Sequence, residues 1–133
     1  MLTEEGFFRG WLWESLKERK LLVSSVAFML WHISAVVLNT GFNPPMAQVP
    51  TFLANAAVLG FIWGRMRQAS GSIVVSSLAH SVWNALAYRL FGFGAKVGLL
   101  GIHDTAVFGP EVGVAGLALN VAFALILWLS SRH

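Results

Sequence analysis

The chain contains no cysteine, and charged residues make up only 11% of its 133 positions. The absence of cysteine excludes a disulfide framework, a thiolate nucleophile and a cysteine-ligated metal site. The charged share is less than half of the roughly 25% that is usual for soluble domains. No internal repeat or low-complexity tract is evident, and the length allows a single domain over residues 1–133.

Apolar residues make up most of the chain. Hydrophobic residues make up 56% of the chain, which also carries 13 glycines and 6 tryptophans. Frequent glycine suits helices packed closely in lipid, and tryptophan is typical of the aromatic belts at membrane interfaces. The net charge of +3 does not indicate nucleic acid, because the basic residues lie at the ends of apolar runs. We therefore expect an integral, multi-pass membrane protein whose partner is the lipid bilayer, with no nucleic acid.

The apolar runs predict an all-α transmembrane bundle of about five helices. The second run is long enough to span a bilayer, since a crossing takes roughly 20 residues. The prolines Pro44 and Pro45 end it, because proline cannot continue a helix, and a glycine-rich loop from Gly92 to Pro110 precedes the last helix. The predicted helices run from about Thr3 to Leu16, Leu21 to Leu38, Thr51 to Met66, the turn at Gly71 to about Phe91, and Glu111 to Leu129.

Basic residues occur at alternate helix connections, which gives the bundle an orientation. The connection between the second and third helices carries no charge, and the one before the last helix is balanced by two acids. By the positive-inside rule the basic side faces the cytoplasm, so the second and fourth helices run outward. The residues that mark this side are Lys17, Arg19, Lys20, Arg65, Arg67 and Arg132.

Ionisable and polar side chains interrupt the apolar runs in three short clusters. Moving such groups from water into hydrocarbon costs several kcal/mol unless partners compensate. At about 1.5 Å per residue, His32 lies roughly 16 Å and His80 roughly 12 Å from the cytoplasmic starts of their helices. The same rise puts Arg9 roughly 12 Å and Glu4 roughly 20 Å above the cytoplasmic end of the first helix. The clusters therefore fall at one depth, and we expect them to share a cavity inside the membrane.

The motifs, in chain order, are Glu-Glu-x-x-x-Arg from Glu4, Phe-x-x-x-His from Phe28 and His-x-x-x-Asn from His80. This order, with each motif on its own helix, resembles the CPBP family. These are the CAAX-protease and bacteriocin-processing membrane proteins, also called Abi proteins, which include the type II CAAX prenyl endopeptidases. The resemblance covers Glu4 to about Leu129. It implies a glutamate-dependent intramembrane endopeptidase of a bacterial or archaeal cell membrane, acting on a membrane-associated peptide or protein such as a prenylated or leader peptide.

The resemblance also implies roles for individual side chains. Glu4 and His32 would position and deprotonate the attacking water. His80 and Asn84 would donate hydrogen bonds to the oxyanion of the tetrahedral intermediate, and Arg9 would orient the carboxylates. No cofactor is implied. The candidate catalytic residues are Glu4, Glu5, Arg9, His32, His80 and Asn84.

Other interpretations of the same residues stay open. The acids and Arg9 could form a helix-start cluster, and the histidines could be interhelical hydrogen-bond partners. Two histidines and a glutamate could bind zinc, although the usual His-Glu-x-x-His helix is absent. A membrane scaffold or proton-coupled carrier could use the same polar centre as a relay, but the repeated halves that are typical of carriers are not visible.

The first predicted helix is short for a membrane span. It has about 14 residues before its basic end, against the roughly 20 that a crossing needs. The chain therefore resembles the C-terminal catalytic core of a larger membrane protein. On this interpretation we expect the 133 residues alone to insert into a membrane but to cleave poorly, and a version extended upstream to recover activity.

Overall fold

A computed structural model describes residues 2–38, 45–93 and 96–132. Most of the described residues are helical and almost none are in strands, which confirms the predicted all-α bundle. One short β-hairpin pairs Gly92–Phe93 with Lys96–Val97. A 3-10 turn, Met46–Gln48, leads into the third helix. The helices are α1 over residues 2–15, α2 Lys20–Val37, α3 Val49–Ser70, α4 over residues 73–91, α5 Thr105–Phe108 and α6 Val114–Ser130.

The structure differs from the prediction in the loop before the last helix and at several helix ends, among them the end of α3 at Ser70 rather than Met66. The predicted loop before the last helix contains the hairpin and the short helix α5. The last helix begins at Val114 rather than at Glu111, because Gly109 and Gly113 form a tight turn in which the Gly113 amide donates to the Gly109 carbonyl at 2.9 Å. A Cβ atom on Gly113 would lie 2.5 Å from the Gly109 nitrogen, so the turn requires glycine there. The predicted proline break lies outside the described residues except for Pro45.

Two helices contain π-helical segments, in which the backbone hydrogen bonds span one residue more than in an α-helix. In α1, the segment Gly6–Trp11 lies between the α-helical turns Leu2–Glu5 and Leu12–Ser15. In α4, α-helix Ile73–Leu86 continues as the π-helical segment Ala87–Phe91. Such segments change which side chains share a face, and they are frequent at functional sites.

Helices α2 and α3 pack closely because small residues lie between them. A Cβ atom on Gly60 would lie 3.2 Å from both the Phe28 Cδ1 and the Ser25 Cα atoms. One turn further along, a Cβ atom on Gly64 would lie 2.6 Å from the Leu21 Cδ1 atom. Small residues four apart are the usual means by which membrane helices approach each other. This contact sets the position of Phe28 and therefore of the helix turn that carries His32.

The interior of the bundle combines an apolar core with buried polar side chains, and many large apolar side chains are exposed. Glu5, Arg9, Asn55 and Ser76 are fully buried. Two helical stretches, Lys20–Val37 and Met46–Ser70, are long and apolar enough to cross a membrane. Large apolar side chains face outward on several helices, among them Leu22, Leu30, Trp31, Val74, Leu78, Leu119 and Ile126.

Candidate functional site

A small enclosed cavity of about 60 Å³ lies among α1, α2, α3, α4 and the turn before α6. A buried water needs about 10–15 Å³ of the space that is open to a water-sized sphere, so the cavity has room for several waters. Its wall combines carboxylates, imidazoles and an amide with aromatic and aliphatic side chains. The lining residues are Glu4, Phe28, His32, Phe52, Ala56, Leu59, Trp63, His80, Asn84, Tyr88 and Glu111.

Four of the six candidate residues line this cavity, and two lie behind its wall. Glu4, His32, His80 and Asn84 belong to the lining. Glu5 and Arg9 do not, and both are completely buried behind it. The structure thus brings the three sequence motifs together, but it divides the first motif between the cavity and the protein interior.

Glu5 holds His80 in place. Its Oε1 atom accepts a hydrogen bond at 2.9 Å from the Nδ1 atom of His80. The same Oε1 atom lies 3.4 Å from the Nη1 atom of Arg9. Because Glu5 is fully buried and His80 nearly so, this carboxylate is a positioning group for the imidazole and the counter-charge for the guanidinium.

Arg9 is anchored from the other side by α2 and α3. Its Nη2 atom donates to the Gly60 carbonyl at 2.8 Å. Its guanidinium lies over the Phe28 ring at 4.4 Å from the centroid, a distance at which a cation is attracted to the ring face. Arg9 therefore links α1 to the Gly60 contact between α2 and α3.

Glu4 differs from its neighbour Glu5 in surroundings. Its side chain is 31% exposed, and its Oε2 atom lies 3.9 Å from the Nε2 atom of His80. That separation is too long for a direct hydrogen bond, although the charges still interact. Glu4 is thus the carboxylate of the pair that faces the cavity, on the opposite side of the His80 ring from Glu5.

The two histidines have different partners at Nδ1. His32 Nδ1 donates to the Phe28 carbonyl at 2.7 Å, because a carbonyl can only accept. In a neutral His32 the Nε2 atom therefore carries the lone pair. His80 Nδ1 faces a carboxylate instead. The Phe28 ring contacts both imidazoles, with its centroid 4.4 Å from that of His32 and 5.6 Å from that of His80.

Trp63 fixes the plane of the His80 ring. The indole and the imidazole are stacked, with centroids 5.6 Å apart and an interplanar angle of 17°. Stacking on one side and the Glu5 hydrogen bond at Nδ1 leave His80 little rotational freedom, which is the preorganisation that a hydrogen-bond donor to a transition state requires.

A third carboxylate, Glu111, lines the cavity and has no place in the sequence prediction. It is only 7% exposed. Its Oε1 atom accepts from the Trp83 indole at 2.7 Å, and its Oε2 atom accepts from the Tyr88 hydroxyl. Burial raises the pKa of Glu111 above its ordinary value, while these two hydrogen bonds oppose the shift. In the sequence, the only indication of this residue is that an acid stands at the predicted start of the last apolar helix.

A buried amide pair holds the turn that carries Glu111. Asn55 on α3 donates to the Glu111 backbone carbonyl at 2.8 Å. Asn120 on α6 donates to the Asn55 side-chain oxygen at 2.9 Å and to the Pro110 carbonyl at 3.1 Å. The turn is therefore fixed to two helices, and Glu111 is held at the cavity by the fold rather than by a flexible loop.

The cavity side chains do not form a recognisable metal site. In the described ranges, no group of three or more His, Cys, Asp or Glu side chains has an arrangement that could hold a metal ion. The zinc interpretation therefore has no supporting group of ligands among these residues.

One comparison with known proteins found a match. A family model described as type II CAAX prenyl endopeptidase Rce1-like matches residues 1–86. That range is more than half of the 133-residue chain and contains all six candidate residues. Tyr88 and Glu111 lie beyond it. No curated protein and no solved structure matches the chain.

Proposed function

The chain belongs to the Rce1-like family of type II CAAX prenyl endopeptidases, and from this premise we propose that it is a glutamate-dependent intramembrane endopeptidase. Members of the family are integral membrane proteases, which implies a membrane-associated peptide substrate in general. The finer proposal concerns how the cavity would hydrolyse a peptide bond. It rests on one observation above all, namely that Glu4 and His32 line the same small cavity, which has room for water.

In the proposed mechanism, Glu4 is the general base. A water in the cavity donates one proton to the Glu4 carboxylate and is oriented by the Nε2 lone pair of His32. The oxygen of this water attacks the scissile carbonyl carbon, forming a tetrahedral oxyanion. A carboxylate beside a partly enclosed cavity is suited to this role, because general bases act within hydrogen-bond reach of the proton that they remove.

The oxyanion would be stabilised by His80 and Asn84. His80 can donate from Nε2 only when it carries both protons, since its Nδ1 proton is directed at Glu5. The Glu5 Oε1 atom lies 2.9 Å from the Nδ1 atom of this ring, and the Glu4 Oε2 atom lies 3.9 Å from its Nε2 atom. When the intermediate collapses, the C–N bond breaks and Glu4 returns its proton to the leaving amine nitrogen. The proton that Glu4 took from the water thus ends on the product amine, and the reaction uses neither a metal nor a covalent intermediate.

The size of the cavity limits what can enter it. About 60 Å³ accommodates the reacting carbonyl and water but not the side chains of a peptide. The remainder of the substrate must lie along neighbouring surfaces of the bundle. Following the family description, the substrate that we propose to test is a carboxyl-terminal tail with a prenyl anchor. We also propose that the protein is a multi-pass protein of a prokaryotic cell membrane.

The proposal is tested with the protein expressed from its entire reading frame and reconstituted in liposomes. Glu4→Gln or His32→Ala should lower cleavage of a prenylated carboxyl-terminal peptide to a small residual rate, because each removes the activated water. His80→Ala and Asn84→Ala should each lower kcat by about 10²–10³-fold, the usual loss for one oxyanion donor. Glu18→Gln, which removes an exposed carboxylate from the loop before α2, is the matched control and should leave kcat unchanged.

A chelator provides the second arm of this test. Cleavage that persists at full rate in a strong chelator agrees with a glutamate-activated water. If the chelator abolishes cleavage and zinc restores it, the glutamate mechanism is wrong. Full activity of Glu4→Gln at normal levels of membrane insertion would contradict it equally.

A further inference from the structure

Glu111 is a buried carboxylate at the cavity for which the mechanism above has no use. It lines the cavity together with Tyr88, and it is only 7% exposed. A buried ionised group is costly unless hydrogen bonds compensate for the water that it loses. An ionisable side chain inside a membrane protein is by default a candidate for a functional role. The contacts of Glu111 indicate which role it can have.

The two carboxylate oxygens of Glu111 accept hydrogen bonds from two side chains of α4. The Trp83 Nε1 atom donates to Oε1 at 2.7 Å, and the Tyr88 hydroxyl donates to Oε2. A carboxylate can accept on both oxygens at once, and donors on both favour its ionised form. Because the hydroxyl proton of Tyr88 is directed at Glu111, the Tyr88 oxygen can act towards a substrate only as an acceptor.

This arrangement is in place before any substrate binds. Asn55 donates to the backbone carbonyl of Glu111 at 2.8 Å. Asn120 donates to the side-chain oxygen of Asn55 and to the Pro110 carbonyl. The carboxylate is therefore held by α3 and α6, and through Trp83 by α4. A charge fixed in this way can stabilise a charge that develops during a reaction without having to reorganise first.

Tyr88 is a neighbour of the proposed oxyanion donor Asn84. The two residues are four positions apart on α4, and both line the cavity. Side chains four apart on a helix are adjacent on its surface. The oxygen and the nitrogen of a scissile amide are bonded to the same carbon atom. A carbonyl oxygen that reaches Asn84 therefore brings the amide nitrogen close to Tyr88.

We propose that Tyr88, held by Glu111, receives the leaving nitrogen of the scissile bond. The Tyr88 oxygen accepts a hydrogen bond from the N–H group of that nitrogen. The Glu111 carboxylate behind it stabilises the positive charge that the nitrogen acquires when Glu4 protonates it. Tyr88 is then a catalytic residue and Glu111 a positioning residue. The inference rests on the proposed peptidase function and deepens it, because the other cavity groups act on the water and on the oxyanion.

The step needs no further reactant. In the tetrahedral intermediate the nitrogen carries one hydrogen, and it takes up the proton that Glu4 removed from the water. The C–N bond then breaks, its electron pair stays on the nitrogen, and the oxyanion re-forms the carbonyl. The products are a carboxylic acid and an amine, while Tyr88 and Glu111 keep their protonation states. Linked hydrogen bonds polarise one another, so the bond to Glu111 makes Tyr88 a stronger acceptor.

An ester substrate separates this role from a structural one. The protein, expressed from its entire reading frame and reconstituted in liposomes, is given a prenylated peptide with the scissile amide or with an ester in its place. The ester oxygen has no hydrogen to donate to Tyr88. Tyr88→Phe should lower kcat for the amide by roughly ten- to a hundredfold, the loss of one hydrogen bond to a developing charge. It should leave kcat for the ester little changed.

Glu111→Gln tests the carboxylate in the same way. Glutamine offers one acceptor oxygen to two donors, so it cannot satisfy both Trp83 and Tyr88. We expect a loss on the amide similar to that of Tyr88→Phe, with the ester little changed. The double variant should be about as slow as the slower single variant, because the two residues act as a unit.

Two variants serve as controls. Trp83→Phe removes the other donor to Glu111 and should leave the ratio of the amide kcat to the ester kcat unchanged. Glu18→Gln removes an exposed carboxylate from the loop before α2 and should change neither kcat.

Equal losses on amide and ester in the Tyr88 and Glu111 variants would overturn the inference and would indicate that the pair only supports the fold. A wild-type measurement decides even if these variants do not insert into the membrane. Methylation of the scissile nitrogen removes the hydrogen that Tyr88 accepts, so a methylated amide cleaved as fast as its parent would overturn the inference. Failure of the proposed function would be distinct, because the wild-type protein would then cleave neither the amide nor the ester.

Discussion

Adjacent glutamates at the start of α1 occupy different environments. Glu5 is fully buried against Arg9 and His80, whereas Glu4 is partly exposed at the cavity. Neighbouring residues on a helix point about 100° apart, so they cannot face the same space. Glu5 is therefore positioned to support the fold and the imidazole, and Glu4 to meet water.

This division predicts that Glu5→Gln reduces stability. The substitution leaves the Arg9 guanidinium buried without its counter-charge, and breaking such a pair typically costs about 3–5 kcal/mol. We expect a correspondingly lower unfolding midpoint in detergent, together with a loss of cleavage. Glu4→Gln should keep the wild-type midpoint while losing cleavage.

The control for Glu5→Gln is Glu14→Gln on the same helix. Glu14 pairs with Arg67 at 2.8 Å but is 64% exposed, and exposed pairs contribute about 0–1 kcal/mol. The unfolding midpoint of Glu14→Gln should stay close to that of the wild-type protein. Equal midpoints for the Glu4 and Glu5 variants would show that the two carboxylates are not divided as described.

Single residues could be predicted from the sequence when an ionisable group interrupted an apolar run. Glu4, His32 and His80 were identified in this way and Asn84 by its place in the His-x-x-x-Asn motif, and the structure places all four around one cavity. Glu111 could not be identified, because an acid in a loop is ordinarily solvated and only tertiary structure buries it. The catalytic roles assigned to these residues stay predictions.

At the scale of whole helices, the contact between α2 and α3 determines the geometry of the cavity. Phe28 packs against Gly60 and also contacts the rings of both histidines. The Gly60 carbonyl also accepts from Arg9. A displacement of α2 relative to α3 would therefore move His32 relative to the carboxylates of α1.

We predict that Gly60→Ala impairs catalysis more than the addition of one methyl group would suggest. The added methyl group would lie 3.2 Å from two atoms of α2, and overpacking of this kind costs about 1–3 kcal/mol. A shift of about 1 Å at His32 would lower kcat by roughly 10²-fold. The measurement is kcat for reconstituted variants, with circular dichroism to verify helix content.

Gly6→Ala is the matched control, since nothing lies within 4 Å of a Cβ atom at that position. It should keep wild-type activity and gain slightly in stability, because alanine favours the helix. If Gly60→Ala were as active as Gly6→Ala, the close approach of α2 and α3 would not set the cavity.

The main helices were predictable because apolar runs and breakers mark them, and their ends differ from the prediction by only a few residues. The π-helical segments were not predictable, since an extra residue per turn depends on tertiary contacts rather than on local pattern. The hairpin Gly92–Phe93 with Lys96–Val97 was also missed. Glycine there indicated a flexible loop, whereas the structure uses Gly92 and Gly98 for close backbone contacts.

Across the described residues, large apolar side chains are exposed while a cluster of polar side chains is buried beside the apolar core. Exposed residues such as Leu22, Leu78 and Ile126 suit lipid, while Glu5, Arg9 and His80 are shielded from it. A buried polar cluster of this kind is costly inside a membrane, and it is retained where it performs a function. This arrangement agrees with membership of a family of integral membrane proteases.

The central claim is that Glu4 and His32 act together on one water. A double-mutant cycle tests this directly: kcat is measured for Glu4→Gln, for His32→Ala and for the double variant, with the prenylated peptide in liposomes. Groups that act as a unit give losses that do not multiply. We therefore expect the double variant to be about as slow as the slower single variant. Losses that multiply, as they do for independent sites, or an inactive wild-type protein would contradict the claim.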